Sequence, residues 1–367
     1  MTTTTPDVRA TTSTNKYMHG LDLVRILAAL AVIFTHYANW LRLNGHDFPV
    51  GKAVDGLVSG PLHLYRPITL FGVGVGTFLL VSGMVVTHVA FRETSGQFMV
   101  RRVVRLLPAM WVAVALAWVL VENGLLTANL PPDLDDLPLN MALLNLFVPA
   151  TSSVLAITWT LVVQMFFYLY VAGTMPLLKR WPWLPPAMSV ALVSVLLAVV
   201  PANGGPPSNG FRMVVTFLPV LFIGQLITLV RAGRIPAAAG VVCGTVQFLL
   251  FIRADLGSQV WPPEDEFPRQ LVILVLVVLL ATRLDNPLVR KPWVGAAAKR
   301  TYATYLLHIP LGFPVLELLT PTTGFWVALV VALAAVAVGS ELLYRFVENP
   351  IARWFRERER QKVKTNP

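Results

Sequence analysis

The sequence is short of charge and of cysteine, and each shortage excludes something. Only 13% of the 367 residues are Asp, Glu, Lys or Arg, about half of what a soluble domain carries. A soluble globular chain is excluded, and no polar stretch is long enough to form a second, soluble domain. Cys243 is the single cysteine and lies in an apolar run, which rules out an intramolecular disulfide and a cysteine metal cluster. It is read as packing, and no metal is expected. Residues 122–153 contain no Lys or Arg, although they hold Glu122, Asp133, Asp135 and Asp136. No small-residue cleavage site follows the first apolar run, so that run is a retained helix rather than a signal peptide. There is no internal repeat and no matched pair of broken helices, which argues against a transporter built from repeats.

What is present is apolar: 56% of residues are hydrophobic and the mean hydropathy is +0.66. Ten runs have the length of membrane spans, at about 20–41, 67–91, 103–121, 154–178, 185–201, 211–231, 235–253, 268–284, 300–319 and 323–345. The expected fold is an all-α polytopic membrane protein of about ten transmembrane helices. Residues 1–16, Thr-rich and polar, read as a disordered cytoplasmic tail; 17–356 form the transmembrane domain; 357–367 form a basic cytoplasmic tail. The stretch 138–149 is apolar but too short to span, and is expected to be re-entrant or interfacial. Loops at 202–210 and 256–268 are rich in Pro and Gly.

The net charge of +10 raises the question of nucleic acid. The basic residues are spread between apolar runs instead of gathered on one domain, so topology explains them and no nucleic acid is expected. Lys and Arg concentrate in alternate connections and in the C-terminal tail, placing both termini in the cytoplasm of a multi-pass cell-membrane protein. The loop 42–66, with Arg42, Lys52 and Arg66, departs from this alternation.

The first span, LDLVRILAALAVIFTHYANW, carries Arg25 and His36. Eleven residues are close to three helical turns, so both share one face, about 16 Å apart along the axis. Either alone has an ordinary explanation, a snorkelling arginine or a hydrogen-bonded histidine. The aligned pair inside an apolar helix points to a functional path. Arg101, Arg102 and Arg105, in RRVVRLLP, form a basic cluster; Arg101 and Arg105 are one turn apart, and Pro108 is expected to kink the helix after them. Guanidinium forks suit phosphate, whereas charge alone would make this a topology signal. In the fourth span Trp159, Gln164 and Tyr168 can face the interior, and Gln164 needs a hydrogen-bond partner there. Tyr305 and His308 share a face of the ninth span, and Glu348 sits at the edge of the last, placed to pair with a basic group. His308 is a second candidate base beside a structural role.

LDLVRILAALAVIFTHY, FLLVSGMVV, RRVVRLLPAMW, ITWTLVVQMFFYL, TYATYLLHIPL and RFVENP occur in the order used by the membrane acyltransferase-3 family, which the chain resembles over roughly residues 17–356. The compact form is most similar to the macrolide O-acyltransferase branch, associated with antibiotic biosynthesis. The resemblance implies transfer of an acyl group, commonly acetyl, from acyl-CoA to a hydroxyl of a sugar, glycan or secondary metabolite. It implies His36 as catalytic base paired with Arg25, and Arg102 and Arg105 handling acyl-CoA; Arg101, as part of the same basic cluster, is expected to meet the donor phosphates with them. Ser82 and Gly83 match its Ser-Gly element, Tyr305 and His308 its ninth-helix motif, and Glu348 its terminal motif. Many relatives have Glu where this chain has Gln164, and an amide cannot titrate. The competing expectation is a transporter or flippase in which Arg25 and His36 line a substrate path.

Overall fold

The computed structural model describes residues 18–45, 70–202, 204–256 and 267–365. The Thr-rich N-terminal segment, Lys52 and Arg66 of the first loop, and most of the 256–268 loop lie outside them. Every regular element among the described residues is helical. In chain order these are α1 (His19–Leu43), α2 (Leu70–Ala90), α3 (Ser95–Glu122), the short α4 (Asp136–Met141), α5 (Trp159–Arg180), α6 (Leu184–Val199) and α7 (Pro206–Arg231). Then follow α8 (Ala237–Leu256), α9 (Phe267–Ala281), α10 (Pro292–Thr323), α11 (Phe325–Leu343) and α12 (Asn349–Thr365).

Eight helices among the described residues are long and apolar enough to cross a membrane. The two remaining expected spans, α6 and α9, are apolar but have 16 and 15 residues, about 24 and 22 Å at 1.5 Å per residue, short of a hydrocarbon core of about 30 Å. The outer surface is apolar on many helices: Leu27, Leu30, Val119, Leu169, Val241, Leu280 and Val330 are all more than half exposed. A surface of that kind belongs against lipid.

α7 is the central helix, packed most extensively on α2 and α8. Glycine allows the α2–α7 approach. A Cβ on Gly83 would lie 2.1 Å from the Leu221 carbonyl oxygen, and one on Gly224 would lie 2.2 Å from that of Leu80. The two backbones therefore touch directly, as small-residue interfaces in membranes permit.

The bundle has a basic end and an acidic end. At the basic end the Arg234 guanidinium lies over Phe91, Arg231 donates to the Thr282 carbonyl, and Lys179 donates to that of Glu93. At the acidic end residues 123–158 fold into a hydrogen-bonded cap. Buried Asp136 accepts from the Asp133 and Ser152 amides, and fully buried Asn140 donates to the Asp136 and Ser152 carbonyls. The apolar stretch 138–149 thus becomes the end of α4 and tight turns, held on the bundle by Trp111 Nε1 donating to the Met141 carbonyl.

Several helix bounds differ from the sequence expectation. α3 begins at Ser95, eight residues before the expected 103, because Thr94 and Gln97 form a reciprocal capping box. The basic cluster is consequently two to three turns inside a helix, not at its start. That helix runs on through Pro108, and α10 runs through Pro310, Pro314 and Pro321. The expected C-terminal tail is largely the helix α12. It follows one π turn, Tyr344–Glu348, the kind of irregularity that accumulates at functional sites.

Candidate active site

A cavity of about 130 Å³ opens among α1, α2, α3, α5 and α10 toward the basic end. Arg25, Arg102 and Arg105 line it, with Ser82, Gln164, Tyr168, Tyr302 and Tyr305 as further polar groups. Thr160 and Thr301 add hydroxyls, and the rest of the wall is apolar and includes Val75, Phe78, Leu79, Leu106 and Leu161.

The arginines differ in what neutralises them. Arg25 lies 3.8 Å from Asp22 and donates to Thr301 Oγ1 at 3.4 Å. Arg102 is buried against the Phe98 ring, and its Nε hydrogen has no acceptor among the described residues. Among the described residues neither Arg102 nor Arg105 forms an ion pair within 4.0 Å. A buried guanidinium left in that condition is costly unless an anion completes it. Glu348, brought in by the π turn, sits in the field of Arg105 and Arg25, and its Oε1 is buried without a partner. It forms no ion pair among the described residues; Glu341 instead takes Arg300 and Arg345.

Arg101 departs from the rest of the expected cluster. It is not in the cavity lining and binds Glu93 at 2.6 Å and Glu359 of α12 at 2.8 Å. The two carboxylates compensate it, and it ties α3 to α12. Arg102 and Arg105, three residues apart, are the pair that shares the cavity face.

On the opposite wall Gln164 Oε1 accepts from Ser82 Oγ at 3.3 Å and Tyr168 OH at 3.0 Å. The expected partner for the buried amide is therefore present. Trp159 does not line the cavity; it packs 4.7 Å from the Phe217 ring. Tyr305 OH donates to the Ile157 carbonyl and meets Thr160 Oγ1 at 2.8 Å. Tyr302 OH donates to the Leu106 carbonyl, joining α10 to α3.

His36 and His308 do not line this cavity. They contact each other just beyond Tyr305, with His308 Nε2 3.1 Å from His36 Nδ1 and ring centroids 4.9 Å apart. The Tyr305 ring is 5.9 Å from that of His308. α1 thus carries an arginine at the cavity and, three turns on, a histidine next to its inner boundary.

Sequence reasoning did not single out Thr160, Thr301 or Tyr302. The TYATY run was a usable signal, since positions 301, 302 and 305 fall on adjoining faces of one helix.

An acyltransferase domain model, Acyl_transf_3, matches residues 18–345. The chain belongs to the acyltransferase-3 family. It is similar to Nodulation protein 10 of Rhizobium leguminosarum bv. viciae, with 29% identity covering 45% of this chain and 46% of that protein. It is also similar to the Peptidoglycan O-acetyltransferase OatA of Listeria monocytogenes, with 24% identity over 94% of this chain and 57% of OatA. The Exopolysaccharide production protein ExoZ of Rhizobium meliloti matches at 26% identity over 65% of this chain and 76% of that protein. The chain spans about half the length of the first two. No solved structure matches it.

Proposed function

We propose that the chain is a membrane O-acyltransferase that moves an acyl group, acetyl in the first instance, from acyl-CoA to a hydroxyl. The acceptor class is a sugar, a surface glycan or a secondary metabolite such as a macrolide. The observation that carries the donor reading is Arg102: a buried guanidinium without a carboxylate, facing a cavity with Arg105 and Arg25. Phosphate groups of CoA supply the missing anion through charge-assisted hydrogen bonds. The apolar wall from Val75 to Leu106 suits the acyl end. The glycan acceptor is supported by relatives named for O-acetylation of peptidoglycan and for exopolysaccharide production.

Both termini and the basic end face the cytosol in this reading, following the Lys/Arg alternation. Acyl-CoA enters there, and its thioester reaches the Tyr305 end of the cavity. His36 takes the acceptor hydroxyl proton as the oxygen attacks the thioester carbonyl; the C–O bond forms, the C–S bond breaks, and the proton passes to the departing thiolate. Gln164 positions Ser82 and Tyr168 and does not exchange protons. The acceptor approaches the histidine pair from the far side of Tyr305.

The test is release of CoA from radiolabelled acetyl-CoA by the purified full-length protein, with a panel of hydroxyl acceptors. Acceptor-dependent release with label in the acceptor is expected. Vectorial uptake into proteoliposomes without CoA release would replace the enzyme with a transporter.

A further inference from the structure

His308 is a fully buried titratable group beside the site to which the proposed chemistry gives no task. Its surroundings fix its protons. A carbonyl oxygen only accepts, so the 2.7 Å contact between His308 Nδ1 and the Tyr305 carbonyl requires a hydrogen on Nδ1. A neutral imidazole then bears its lone pair on Nε2. That atom lies 3.1 Å from His36 Nδ1, which also lies 3.0 Å from the Val32 carbonyl. These two neighbours of His36 Nδ1, the His308 lone pair and the Val32 carbonyl, are both acceptors, so Nδ1 carries the hydrogen. The basic lone pair of His36 is thereby assigned to Nε2.

The contact is held by the backbone as well. Tyr37, next to His36, donates its hydroxyl to the His308 carbonyl at 2.9 Å. A Cβ on Gly312 would lie 1.7 Å from the Tyr37 hydroxyl oxygen, so the absence of a side chain there makes room for the phenol. α1 and α10 are locked in register at the level of the two histidines.

We propose that His308 is a positioning residue: it sets the tautomer of His36 and shares the proton that His36 acquires. This rests on the reading of His36 as the base. When the acceptor proton arrives at His36 Nε2, the Nδ1 hydrogen moves toward His308 Nε2, spreading one positive charge over two rings. As the thiolate leaves, the Nδ1 hydrogen returns and the Nε2 proton goes to sulfur, restoring both neutral rings. The neutral second imidazole does the orienting that a carboxylate does in a hydrolase triad.

The test uses the full-length protein in nanodiscs and three variants. His308→Leu removes the acceptor while keeping an apolar volume; kcat is expected to fall about a hundredfold, the low end of what a general base contributes, with acyl-CoA affinity unchanged. His308→Gln restores an acceptor oxygen near the Nε2 position and is expected to recover at least tenfold of that loss. Nitrogen-15 NMR of histidine-labelled protein should show His36 as the Nδ1–H tautomer in the wild type and a tautomer mixture in His308→Leu. Turnover of His308→Leu within about threefold of wild type, or equal loss in Leu and Gln with an unchanged His36 spectrum, overturns the proposal. Retained turnover in His36→Gln would instead overturn the base assignment, while the NMR comparison still decides whether the rings are coupled.

Discussion

At the scale of single residues, the two neighbours Arg101 and Arg102 predict opposite phenotypes. Arg102 is buried at the cavity with an unpartnered Nε, so Arg102→Ala removes a charge-assisted contact worth about 1.5–3 kcal/mol. Acyl-CoA affinity should fall by roughly ten- to a hundredfold in equilibrium binding. Arg101→Ala should leave that affinity near wild type and free α12, seen as faster proteolytic cleavage after residue 348. Equal effects of the two variants on binding would return Arg101 to the donor site. The sequence made Arg25 and His36 legible, since both follow from helical spacing and the cost of burying charge. It also required a partner for Gln164 without showing which one, because Ser82 is 82 positions away. Arg101 was partly legible for the same reason: its shared face with Arg105 was visible, but its partner Glu359 lies 258 positions along the chain.

At the scale of elements, the α2–α7 contact makes the next prediction. Gly83→Ala and Gly224→Ala each place a methyl at about 2 Å from a backbone carbonyl oxygen of the facing helix. A carbonyl in a helix cannot swing aside, so the helices must separate. A loss of about 1–3 kcal/mol is expected, read as a lower Tm in detergent, with the double variant costing less than the sum because both relieve one contact. Unchanged melting would mean the interface is plastic. Gly74 of α2 makes a similar approach, to Val32 and the Ala28 carbonyl of α1. Which helix each glycine would meet was not legible, since many apolar helices offer equivalent faces. Helix starts were the weaker part: the Thr94 capping box lay in a polar stretch read as a loop, so the basic cluster was placed too near a helix end.

At the scale of the whole molecule, the proposed orientation places both termini on one side, and among the described residues the eight long apolar helices and the two short ones are both even in number. Reporters fused before Met1 and after Pro367 should both read cytoplasmic; an outward-facing C-terminus would reverse the donor's side of entry. The composition made the polytopic class plain, and the Lys/Arg alternation is what supports the proposed orientation. Composition did not reveal where the two short helices end: α6 stops at Val199, just before Pro201, and α9 at Ala281, just before Thr282 and Arg283. The α2–α7 lock reaches beyond stability. α2 contributes Val75, Phe78, Leu79, Val81, Ser82, Val85 and Val86 to the cavity, while Gly83 on another of its faces rests on carbonyl oxygen. That wall cannot retreat to admit a longer donor. In the proposed reading, the acyl length the cavity accepts is a ruler cut into side chains: broadening it means trimming residues such as Phe78 or Leu106, not shifting a helix.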